Sequence, residues 1–265
     1  MQAQTIDEVI DQLNVIIKHS ITNGSRAGYF AALYYKVTSR VKEGIRAGEF
    51  QDGARMEQFD VIFANRYLTA YQQWTDKKSL STSWKIAFEM LDKPSVLVLQ
   101  HLFLGMNAHI NLDLGIAAAE TAKAAKQPLT ALHNDFNSIN TILAALTYEV
   151  VNELDQVSPL LSLAGLHSKN DSLFIQFEMG NARDGAWCFA EELFTKENAD
   201  YTTCINERGI DIYQLGRSIA ETKGLLRMTV FIIHLFEYKN PSRIVKVLNG
   251  YKKKYVKVNK LTSVQ

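Results

Sequence analysis

Residues 95–119 constrain this chain more than any other segment. The run is apolar and long enough to tempt a membrane-span assignment, yet Gln100, His101, Asn107, His109, Asn111 and Asp113 interrupt it. A lipid-facing helix does not tolerate such groups. The run is therefore read as a helix through a protein core. At about 100° per residue, Gln100, Asn107 and Asn111 fall on one narrow stripe. His109 and Asp113 lie on the opposite side, one turn apart, with His101 and Gly105 between the two.

Buried polar groups left without partners cost about 1–3 kcal/mol each, and a charge costs more. Two readings follow. In one, the amides clamp neighbouring helices and Asp113 fixes the tautomer of His109. In the other, the same groups line an internal site.

The rest of the chain follows the helical period. In residues 5–19, Ile6, Val9, Ile10, Leu13 and Ile17 recur at spacings of three and four. Residues 29–50 and 56–74 repeat the pattern, and further helices are predicted over 83–91, 129–155, 173–195, 204–223, 225–238 and 242–255. Pro94, Pro128 and Pro241 stand just ahead of apolar-periodic runs, where a missing N–H costs nothing, and Pro159 opens a short helix. No Asn-Gly hairpin joins two alternating runs. The expected fold is an all-α, single-domain multi-helix bundle around a long buried central helix, spanning residues 1–265. Within it, helices over 204–255 lead to a basic tail at 256–265.

Net charge is +1, with 29 Lys and Arg against 28 Asp and Glu. That balance offers no field for nucleic acid. Lys252, Lys253, Lys254, Lys257 and Lys260 form a local basic run that reads as solvated. Cys188 and Cys204 are too few for a disulfide framework or a zinc knuckle. Cys188, beside Trp187 and Phe189, reads as a small buried apolar residue. The first residues lack a basic and apolar leader pattern, so the expected location is the cytoplasm.

His109 and Asp113 at i, i+4 are spaced to share a divalent metal, with further ligands to come from His133 and Asp135 or from Asp60 and Glu57. His101 is about 12 Å along the axis from His109, too far to share that ion comfortably. In residues 133–140, His133, Asn137 and Asn140 share a face while Asp135 points away. In residues 182–191, Asp184, Trp187 and Glu191 align, and Arg183 is placed to lie over the Trp187 ring. Arg66 and Asp60 either pair locally or reach inward. No GxSxG elbow and no phosphate-cradling glycine loop is present.

Residues 100–114 read QHLFLGMNAHINLDL. They resemble the QHLxLGxNAHINxDL pattern of a widespread bacterial family described only as a domain of unknown function. The stretches FANRYLTAYQQW (63–74), DFNSIN (135–140) and ARDGAW (182–187) look like the same family. The resemblance extends over about residues 25–195 and implies no activity. A fainter similarity, to all-helical zinc-dependent phospholipase C and related nucleases, lies in a histidine and an aspartate one turn apart on a core helix. Their additional spaced histidines and Pro-His pair are lacking here.

Three functional readings stand. One is a helical protein whose buried network specifies the fold or binds a small molecule. Another is a metal-assisted hydrolase using His109 and Asp113, with Arg183 or Arg66 steadying an anionic substrate. The third is an interaction scaffold built on the C-terminal helices and the lysine tail.

Overall fold

The computed structural model describes residues 2–163 and 179–250. Its helices are α1 (Ile6–Asn23), α2 (Gly28–Arg46), α3 (Gly53–Thr75), α4 (Thr82–Glu89), α5 (Val98–Ala108), α6 (Leu114–Ala125), α7 (His133–Val157), α8 (Leu160–Leu163), α9 (Met179–Phe194), α10 (Asn198–Ala220), α11 (Gly224–Phe236) and α12 (Pro241–Gly250). No strand occurs among the described residues. The architecture is all-α, as the periodicity predicts. The lysine run from Lys252 onward lies outside the described residues.

Local chemistry sets the helix ends. Thr5 caps α1 by accepting from the Glu8 N–H at 3.2 Å, and Gly24 closes it in the left-handed region at φ 65°. Asp52 caps α3 through the Arg55 N–H at 3.0 Å. The Asn240-Pro241 pair opens α12 as expected, with Asn240 Oδ1 accepting from the Arg243 N–H at 3.1 Å. The predicted helix over 129–155 differs in its first turn. Leu129–Leu132 is a 3-10 turn behind Pro128, and the α-helix proper starts at His133.

α5 and α6 are one continuous helical rod, Val98–Ala125, and 94% of its most apolar window is buried inside the fold. Its hydrophobicity therefore serves the core of this protein. α2, α4 and α10 pack on α5, while α3 and α9 pack on α6. Two glycines permit the closest approaches. A Cβ on Gly105 would stand 2.5 Å from the Phe30 ring, and one on Gly115 would stand 2.7 Å from the Ala186 carbonyl oxygen.

The rod departs from the regular helix expected of it at His109–Asp113, which forms a π-helical turn. There the Leu114 N–H bonds to the His109 carbonyl, five residues back. Such single wide turns inside α-helices occur frequently at functional sites.

Candidate functional site

The two polar sides of the rod meet different surroundings. On the amide side, Gln100 Nε2 donates to the Ile219 carbonyl at 2.8 Å, and its Oε1 accepts from the Leu97 N–H at 3.0 Å. Asn107 Nδ2 donates to the Ile212 carbonyl at 2.8 Å and its Oδ1 accepts from Asn111 Nδ2 at 3.0 Å. This stripe is a paired clamp holding α10 against α5. It lines no cavity.

On the opposite side the widened turn projects His109 and Asp113 toward α2, α3 and α4. Asp113 Oδ1 accepts from Arg66 Nε at 2.8 Å. Asp113 Oδ2 accepts from Trp84 Nε1 at 2.8 Å and from His109 Nδ1 at 3.1 Å. Burial alone would raise the Asp113 pKa, but the Arg66 charge and the His109 contact outweigh it and hold the carboxylate below its ordinary value. For His109 burial wins over the attraction of Asp113, and its pKa is lowered. The pair is thus a neutral imidazole beside a carboxylate. Its Nδ1 carries the proton donated to Asp113, which leaves a lone pair on Nε2. Phe63 stacks on the ring at 3.6 Å between centroids, and Tyr34 meets it edge-on at 4.6 Å.

His109 forms part of the wall of a cavity of about 560 Å³ between α2, α3, α5, α7 and α9. That size is in the range of small-molecule sites. The lining is aliphatic and aromatic, including Phe103, Ile139, Leu143 and Leu154, and is broken by Tyr34, Asp60, His109 and Arg183. All four carry a buried atom without a hydrogen-bond partner: Tyr34 Oη, Asp60 Oδ2, His109 Nε2 and Arg183 Nε. Burial, followed by the charge of Glu57, pushes the Asp60 carboxyl up to about 7. Burial, partly offset by Asp184, brings Arg183 down to about 10.

The structure divides the residues singled out in the sequence. Asp60, His109 and Arg183 come together around the cavity, with Asp113 and Arg66 directly behind His109. Asp60 and Arg66 both reach inward, but to different places. His101 faces a separate recess of about 20 Å³, edge-on to Tyr29. Neither of its ring nitrogens is paired, and burial drops it to about 3.

Asp135 accepts from the Gln51 and Asp52 N–H groups at 2.7 and 3.2 Å and from Arg55 Nη2 at 2.9 Å, so it ties α7 to the start of α3. Asn140 is exposed, as are His133 and Asn137, which bond to each other. Asp184 is also exposed. Arg183 lies over the Phe136 ring at 4.4 Å and donates to the Phe136 carbonyl, correcting the expectation that it covers Trp187. The Trp187 ring packs on His133 and Phe136 and donates to Glu191 at 3.0 Å. Cys188, expected inside, is exposed, because α9 turns that position away from α6.

Among the described residues no group of three His, Cys, Asp or Glu side chains could hold a metal ion. Both Asp113 oxygens are already committed to nitrogen donors, which leaves the anticipated His109 and Asp113 ligand pair poorly disposed toward a cation. Sequence reasoning missed Tyr34 and Trp84. Tyr34 was detectable as a hydroxyl within the apolar stripe of α2. Trp84 carried no local sign of its bond to Asp113, 29 residues away.

Residues 6–222 match the model of a family described as a family of unknown function (DUF5995). No curated protein and no solved structure is significantly similar to the chain.

Proposed function

The chain belongs to that family of unknown function, and from its geometry we propose that it binds an apolar small molecule bearing one hydrogen-bonding end. The single observation that carries this reading is the company kept by Asp60 Oδ2, His109 Nε2 and Arg183 Nε. All three are buried, unpaired and set in the residues that wall an otherwise hydrocarbon cavity of about 560 Å³.

Leaving each atom unsatisfied costs about 1–3 kcal/mol, a large fraction of the about 5–15 kcal/mol by which domains are stable. The same helix pairs its other buried amides fully, so the fold is able to satisfy polar groups where structure alone is at stake. A ligand offering a carbonyl, hydroxyl or carboxyl end to these atoms, and a hydrocarbon body to the leucine and phenylalanine walls, would recover both terms. Arg183 favours an electron-rich oxygen at that end.

Saturable binding of an environment-sensitive aminonaphthalene dye, measured by fluorescence, tests the reading. One dye per chain is expected, with at least a tenfold loss of affinity when Met106→Trp fills the cavity. Binding that is absent, or indifferent to the filled cavity in a variant with normal helicity, would refute it.

A further inference from the structure

We propose that the cavity is a catalytic site in which His109 Nε2 takes a proton from a carbon atom of an apolar carbonyl compound, with Asp60 bonding the oxygen that gathers the charge. This rests on the binding reading above and adds an activity to it. In a β,γ-unsaturated carbonyl compound the C–H bond next to the carbonyl breaks and the proton goes to Nε2. The C–H electron pair forms a C=C bond, and the C=O π pair moves on to the oxygen to give a dienolate. Return of that proton to a different carbon of a conjugated system completes an isomerisation, with no oxidant, reductant or other co-reactant.

The parts match that chemistry. Asp113 fixes the tautomer by accepting the Nδ1 proton, and it stabilises the imidazolium once Nε2 is charged. Arg66 and Trp84 hold Asp113 from behind, so the carboxylate cannot swing away. Phe63, stacked on the imidazole, fixes the ring plane. Asp60 is one turn before Phe63 on α3 and lines the same cavity. With its carboxyl pushed up to about 7, Asp60 carries a proton in mildly acidic solution and donates a hydrogen bond, as an enolate requires. The apolar walls keep out water that would solvate and weaken the base.

Elimination of 5-nitrobenzisoxazole isolates this step. Removal of its ring C–H proton breaks the N–O bond and releases a coloured cyanophenolate, so only a base in an apolar site is needed. The full chain should accelerate the reaction at least 100-fold over free imidazole at equal concentration. His109→Gln should lose at least tenfold of that rate. Asp113→Asn should lower the rate and move the acid limb of its pH profile, which a merely structural change would not do. Equal rates in the wild type and in folded His109→Gln would overturn the proposal. Dye binding that persists alongside a missing elimination sinks the catalytic inference alone; loss of both sinks the reading of the cavity as well.

A separate observation concerns α11. Its Val230 and Ile233 turn inward, while Leu225, Met228, Phe231, Ile232, Leu235 and Phe236 are exposed. Residues 222–250 hold five Lys and Arg and one acid, Glu237, whereas the preceding 221 residues hold 19 basic and 27 acidic ones. Glu237 is buried and accepts from the Val98 N–H, so it does not dilute that charge at the surface. Lys223 and Arg227 at the start of α11, and Lys239 and Arg243 just beyond its end, are exposed as well.

From this charge segregation we infer that α11 docks on an anionic lipid surface, the partner that takes apolar side chains and surrounding cations together. Co-sedimentation should show binding to vesicles containing phosphatidylglycerol, at least tenfold weaker binding to phosphatidylcholine alone, and loss in a Phe231→Glu, Leu235→Glu double variant. Equal binding to both vesicles, or none, refutes the docking. So does a doubled mass in solution that the double variant abolishes, since a second copy would then occupy the face.

Discussion

The two polar sides of the central rod are equally buried and oppositely served. Gln100, Asn107 and Asn111 meet backbone carbonyls and one another, and their side-chain nitrogens all have partners. His109 has a partner on one nitrogen and none on the other, and Asp60 and Arg183, which line the same cavity, each carry an unpaired buried atom too. Burial therefore does not separate structural polarity from functional polarity. Neither does a missing partner alone, since His101 is unpaired in a recess of about 20 Å³. What marks the second side is unpaired atoms gathered on the wall of one large cavity. A paired group adds to the uniqueness of the fold, whereas an unpaired one in a cavity is a cost the fold carries for a purpose.

That contrast can be broken by mutation. Asp113→Ala should have the largest effect, since it strands Arg66, Trp84 and His109 Nδ1 at once. A loss of about 3–5 kcal/mol is expected for removing one partner of a buried ion pair, measured by denaturant unfolding. On the amide side, Asn107→Ala leaves the Ile212 carbonyl and the Asn111 amide unpaired and should cost about 2–3 kcal/mol.

Asp60 gives the cavity side a pH signature. Its folded pKa of about 7 lies above the ordinary 3.8, so the folded state holds this proton more tightly than the unfolded state. Its contribution is present in full below about pH 4 and is lost as pH rises through 7. Between pH 5 and 7 this amounts to about 2–3 kcal/mol, and Asp60→Asn should flatten that slope in unfolding curves recorded at a series of pH values. The smallest effect belongs to His109→Gln, with a stability change within about 1 kcal/mol despite complete burial. A loss as large as that of Asn107→Ala would erase the distinction between the two sides.

Much of this arrangement was legible in residue spacing. The apolar repeats located the helices, and the 100° projection separated Gln100, Asn107 and Asn111 from His109 and Asp113 correctly. Spacing failed wherever a side chain chose between neighbours that the chain brings from afar. Arg183 was expected over Trp187, four positions along its own helix, and instead covers Phe136 on α7. Asp135 resembled a candidate ligand and proved to be a clamp on backbone N–H groups more than 80 residues away. The π turn had no local signature. Nothing in the leucines of α7 announced that they wall a cavity.

By itself the sequence determined that a polar-studded helix must run through the interior, because the helical period is a local property and buried polar groups are rare enough to stand out. The tertiary structure decided which of those groups are satisfied. Partners 47 positions away for Asp113 and 119 for Gln100 are set by packing, and only packing could close one side of the rod and leave the other facing an open cavity.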